Sequence, residues 1–191
     1  MQAIVRAAKE ENWSAQISAI ISNREDAEGL TFAAQNGIEC VVVPSKNYAS
    51  REAFDTVLQQ KIDAFAPDLV VLAGFMRILT ASFVTAYKDR MINIHPSLLP
   101  SFTGLKTHEQ ALRAGVRVHG ATVHFVTPEL DHGPIIAQVT IPVCDDDTPE
   151  TLAARLLIEE HKIYPLAVRW FVDDELIVQG NRVIRRYVSP T

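Results

Sequence analysis

A chain of 191 residues, 48% hydrophobic and 21% charged with a formal net charge of -5, has the apolar content for one packed core and lacks the basic footprint of a general nucleic-acid binder. Two cysteines, Cys40 and Cys144, make neither a disulfide framework nor a zinc set, and no histidine pair sits at helical ligand spacing, so no metal is expected. No apolar stretch reaches the ~18 residues of a membrane span and the start lacks a signal-peptide core, which predicts a soluble, cytoplasmic protein with neither membrane nor nucleic acid as partner.

The chain opens on MQAIVRAAKE (1–10), where Ile4, Val5 and Ala8 have helical spacing with no strand before them. AQISAIIS (15–22) reads as a strand, residues 24–37 as a helix closed by Gly37, and IECVVVP (38–44) as a buried strand. Residues 50–65 place Phe54, Val57, Leu58, Ile62 and Phe65 on one helical face behind Ser50 as N-cap, and Pro67 stops that helix. DLVVLAGF (68–75) is a second apolar strand, residues 80–88 a short helix, and MINIH (91–95) a strand ended by Pro96. This alternation predicts an α/β fold with right-handed crossovers and a mostly parallel open sheet flanked by helices.

The second half changes character. ATVHFV (121–126) and IIAQVTIPV (135–143) flank the turn-rich TPELDHGP, which predicts an antiparallel pair. Thr148 as N-cap and Pro149 at the first position open a long helix with Leu152, Leu156, Leu157 and Ile163 on its apolar face, and Pro165 is expected to kink or interrupt it. Residues 174–187 read as a hairpin around Gly180 and Asn181. With no repeat and no linker, one domain over 1–191 is expected.

Chemistry concentrates in NIHPSLLP. Asn93 and His95 are two apart on a strand, so both project to one face, at a strand's carboxyl end where open α/β sheets hold their sites. An amide and an imidazolium there form a pair of donors for an oxyanion. Asp131, in LDHG beside the flexible Gly133, is either a turn residue or the carboxylate that orients His95; spacing leaves both open. Ser97 lies near His95, but no nucleophile-elbow pattern surrounds it. Read alone, these residues point to acyl or formyl transfer through a tetrahedral intermediate.

Three segments carry a resemblance: PDLVVLAGFMRIL (67–79), MINIHPSLLPSFTGLKTHEQAL (91–112) and HGATVHFVTPELDHGPIIAQ (119–138) are similar to the folate-dependent glycinamide ribonucleotide formyltransferases of purine synthesis. The resemblance implies a Rossmann-like formyltransferase fold, 10-formyltetrahydrofolate as cosubstrate, and a catalytic trio of Asn93, His95 and Asp131. It implies a folate site at Arg51, Met76, Arg77, Ile78, Leu79, Asn93, Thr127, Pro128, Glu129, Leu130 and Asp131. It places ribonucleotide binding at Leu157, Ile158, Glu159 and Glu160, in a monomer or homodimer that acts on small molecules. Its alternatives are hydrolysis of the formyl donor, or a folate-binding remnant without turnover. Members of that family open with an apolar strand and a GxGSN-type loop that cradles phosphate. MQAIV aligns just after that loop, so the expectation is a domain truncated at its amino end, lacking the first strand and the phosphate loop.

Overall fold

In the computed structural model, which describes residues 1–186, the first helix is α1 (Gln2–Glu10), and it lays Ile4 and Val5 into the core. β1 (Ala19–Ser22), α2 (Glu28–Gln35) and β2 (Glu39–Val42) follow, the two strands pairing in parallel. α3 (Arg51–Asp63) starts where the sequence predicts, with the Ser50 hydroxyl accepting the Ala53 N–H. Then come β3 (Val70–Leu72), α4 (Ala81–Ala86) behind Thr80 as N-cap, and β4 (Met91–His95), which is parallel to β3.

Beyond β4 the pairing among the described residues is antiparallel apart from a single parallel bridge, Ile135 to Arg182, further along the chain. β5 (Val118–Phe125) pairs antiparallel with β4 and with β6 (Ile135–Pro142), as the TPELDHGP turn requires. Between β4 and β5 lies α5 (Thr107–Ala114), a helix with no start signal in the sequence: its N-cap is Lys106, left-handed at φ 58° and without a side-chain cap. α6 (Pro149–Val172) opens on a reciprocal Thr148–Thr151 capping box. β7 (Leu176–Gln179) and β8 (Arg182–Arg185) form the expected hairpin; Tyr187, the last residue of that stretch, lies outside the described residues.

α6 runs on through Pro165, so of the kink or interruption expected there the interruption does not occur. Ile163, Tyr164, Ala167 and Val168 on either side of it are buried in the main core with Ile4, Ile92, Val123 and Phe125. A proline inside a helix costs ~3 kcal/mol, and burying several large side chains at roughly 1.5–3 kcal/mol each outweighs it.

The strands fall into two sheets, β1-β2 and β3-β4-β5-β6-β8-β7. The outer edges of β1 and β3 line a common cavity of about 840 Å³, closed by Met1, Ile4 and Val5 of the amino end and by Val168, Phe171 and Val172 of α6. The seam therefore runs beside α1, the helix that the resemblance places directly after the family's first strand.

Candidate active site

His95 ends β4, and both it and Asp131 are buried. The register sets His95 against Thr122 on β5, and Thr122 builds the turn that follows: its hydroxyl donates to Ser97 O at 2.7 Å and accepts the Leu99 N–H at 3.0 Å. Gln138 on β6 adds bonds to Leu99 O and Thr122 Oγ1 at 3.0 and 2.9 Å. The PSLLP segment is thus held by two neighbouring strands, and the imidazole inherits their rigidity.

Asp131 comes to His95 from the loop between β5 and β6. Oδ1 stands 3.6 Å from His95 Nδ1, and Oδ2 accepts the Gly104 N–H at 2.8 Å. Gly133 makes this approach possible. Its Cα lies so close to β5 that an added Cβ would sit 1.6 Å from the Phe125 carbonyl oxygen, so no side chain fits there. Asp131 itself is at φ 56°, a left-handed conformation that a non-glycine residue adopts at a cost of about 1–3 kcal/mol.

The second nitrogen of His95, Nε2, lies 3.1 Å from the Phe102 carbonyl. Carboxylate on one side and carbonyl on the other suit an imidazolium, which has a proton to donate at each nitrogen. Phe102, also left-handed at φ 56°, sets its ring at a tilt of 57° against that of His119, which meets His108 Nδ1 through Nε2 at 3.1 Å. Burial first, then the His108 imidazole, pull His119 down to about 4, and burial lowers His108 as well. The half-buried Asn93 amide makes no hydrogen bond among the described residues and stays available on the His95 face.

The long helix reaches the same strand ends. The buried Tyr164 hydroxyl lies 2.6 Å from Leu72 O and 3.1 Å from Ile92 O, between which its one proton is shared, and Ile92 is the residue before Asn93. Glu160 lies one turn earlier on the Tyr164 face, and burial pushes its carboxyl up. Leu157 and Ile158 are exposed, and Glu159 is engaged with Lys162 at 2.8 Å on the outer surface. The loop leaving β3 carries Met76 and Ile78, 81% and 57% exposed, and Arg77, whose guanidinium lies 4.9 Å over the Phe54 ring. Thr127, Pro128, Glu129 and the exposed Leu130 lead directly into Asp131. Arg51 is exposed at the first position of α3 and makes no contact with the trio among the described residues.

The structure therefore unites His95, Asp131 and the Asn93 face; Leu79 packs against the Phe54–Phe83 cluster, and Glu160 lies on α6 one turn before Tyr164. Sequence reasoning did not find Gly104, Phe102, Thr122, Gln138 or Tyr164 as supports; for Tyr164 the spacing of four from Glu160 was the available signal. Among the described residues no group of three His, Cys, Asp or Glu could hold a metal ion, and no helix is long and apolar enough to cross a membrane.

Comparison with known proteins identifies relatives of this chain. The chain is 48% identical over 181 residues to phosphoribosylglycinamide formyltransferase of Escherichia coli K12, covering 95% of this chain and 85% of that protein. It is 47% identical to the human trifunctional purine biosynthetic protein adenosine-3 over 88% of this chain, which spans 17% of that longer protein. Among solved structures, glycinamide ribonucleotide transformylase 1 from Symbiobacterium toebii superposes with a TM-score of 0.93 at 45% identity, covering 96% of this chain and 87% of that one. With the formyl transferase family model matching residues 1–168, this chain belongs to that family.

Proposed function

We propose that this chain transfers the formyl group of 10-formyltetrahydrofolate to the amine of glycinamide ribonucleotide, in purine synthesis. The observation that carries this reading is the buried His95–Asp131 pair, 3.6 Å apart, beside the uncommitted Asn93 amide. The amine nitrogen attacks the formyl carbon, and negative charge gathers on the formyl oxygen. Asn93 and the Nε2–H of His95 donate to that oxygen, the latter exchanging its bond to Phe102 O for the substrate. Asp131 holds the imidazolium through Nδ1 and accepts, through water, the proton the amine gives up. The C–N bond to the folate then breaks, and N10 takes a proton in return.

The folate is bound by Arg51, Met76, Arg77, Ile78, Leu79 and the loop Thr127, Pro128, Glu129, Leu130. The exposed apolar side chains of Met76, Ile78 and Leu130 supply surface that a flat pterin ring would cover. The ribonucleotide lies along Leu157, Ile158, Glu159 and Glu160, with Glu160 as the polar anchor. Residues 1–191 act as one formyltransferase domain, as a monomer or homodimer.

Donor consumption measured with and without glycinamide ribonucleotide tests the reading. Transfer requires both substrates. Consumption of donor alone identifies a hydrolase, and folate binding without consumption identifies a binding protein.

A further inference from the structure

We propose that Asp55 on α3, with its neighbour Phe54, is a positioning device for the loop at residues 76–79, so that the affinity of the formyl donor depends on a residue outside the donor pocket. This rests on the reading above that the loop takes folate. Asp55 is 3% exposed, and its helix neighbours Phe54 and Leu58 belong to an apolar cluster with Phe83 and Tyr87. A carboxylate in such a place is costly unless its oxygens are engaged. Its Oδ2 accepts the backbone N–H of Thr80 at 2.6 Å, across 25 residues of sequence.

The partner is informative. Thr80 is the N-cap of α4, and the cap itself is made by its own hydroxyl, which accepts the Phe83 N–H at 3.3 Å. Asp55 therefore does not cap the helix. It takes the N–H of the cap residue, which belongs to the loop, and so fixes the point where the loop ends. One residue earlier on α3, the Phe54 ring is 1% exposed and lies under the Arg77 guanidinium at 4.9 Å, held edge-on by Tyr48 at 5.8 Å. Successive residues of one helix thus grip the loop at its middle and at its end. Met76 and Ile78 stand out from the gripped loop, the former 81% and the latter 57% exposed. A loop ordered before the ligand arrives loses less freedom on binding than a loose one. Releasing the grip should weaken donor binding and leave the reacting groups of His95 and Asn93 in place.

The test uses the full chain with three substitutions, Asp55→Asn, Asp55→Leu and Phe54→Leu. Calorimetric titration with a stable dideaza analogue of formylfolate, titration with glycinamide ribonucleotide, steady-state kinetics and thermal denaturation are the measurements. Asp55→Leu should raise the analogue Kd and the donor KM about tenfold, while kcat at saturating donor and ribonucleotide Kd stay within about twofold. Asp55→Asn keeps an oxygen for the Thr80 N–H and should return the analogue Kd to within about threefold of wild type. Phe54→Leu, which removes the Arg77 platform and leaves Thr80 held, should raise the donor KM by about threefold to tenfold. Wild-type donor affinity in Asp55→Leu, or equal losses for donor and ribonucleotide with a lowered Tm, overturns the grip in favour of a plain packing role. Should Asp55→Leu not fold, Asp55→Asn and Phe54→Leu decide: unchanged donor KM in Phe54→Leu, or Asp55→Asn losing donor and ribonucleotide affinity alike, overturns it. Failure of the wild-type chain to bind the analogue at all is a different result, since it removes the folate reading on which the proposal stands.

Discussion

Replacing Gly133 with alanine should disable the site from outside it. The new Cβ would stand 1.6 Å from the Phe125 carbonyl oxygen and 2.8 Å from its carbon, where real contacts do not fall below 3.0 Å. The two backbones must therefore part by roughly 1.4 Å. Phe125 is the fixed side: it is paired with Ile92 in the sheet and its ring is buried in the main core. The loop must move, carrying Asp131 from 3.6 Å to about 5 Å from His95. At an effective dielectric of ~20 the attraction falls from roughly 4.6 to roughly 3.3 kcal/mol, a loss of about tenfold, and misorientation of the imidazole adds to it. Turnover should drop about 10-fold to 100-fold, with an overpacking cost of ~1–3 kcal/mol in thermal denaturation. Ribonucleotide affinity, which we propose draws on α6, should stay within about twofold. A folded Gly133→Ala protein with wild-type turnover would refute the reasoning, because it would mean that Asp131 need not be held where the loop puts it.

His95→Ala and Asn93→Ala should each cost at least ~100-fold in turnover with folate-analogue affinity largely kept; near-normal turnover in both removes them from the chemistry. Because burial pushes the Glu160 carboxyl up, the stability tied to it is complete below the unfolded value and lost as pH rises through the folded one. Glu160→Gln should therefore raise Tm at neutral pH while weakening ribonucleotide binding by roughly tenfold or more, and unchanged affinity by calorimetry would exclude it as the anchor. His119 is held down to about 4 against 6.5, so the stability tied to its neutral form is complete above 6.5 and lost as pH falls through about 4. His119→Asn should flatten the fall of Tm across that window, leaving the slope due to His108 and His124, which burial also lowers; an identical slope in the variant would show that the pair does not sense acid.

Much of this protein was legible along the chain because the relevant physics is local. Ser50, Thr148 and Pro149 mark helix starts by satisfying, or not needing, the first free N–H groups, and they do so at the predicted positions. The alternation of apolar runs and helical faces gave the parallel first half and the antiparallel pair after it, and period two put Asn93 and His95 on one face. α5 escaped notice because its cap is a left-handed lysine, a conformation no side chain announces. That α6 continues through Pro165 was not legible, because local propensity cannot weigh the burial of Ile163, Tyr164, Ala167 and Val168 against a lost hydrogen bond. The meeting of Asp131 with His95 depends on a loop that folds back over β5, and it turns on a missing Cβ at Gly133 whose meaning exists only when Phe125 lies against it. Likewise the split between β1 and β3, the Tyr164 bridge and the Asp55 grip join residues 25 to 92 positions apart, or strands that never pair. Sequence records short-range torsional and capping preferences directly; long-range contacts are set by which surfaces remain after those elements pack, and only the folded chain decides that.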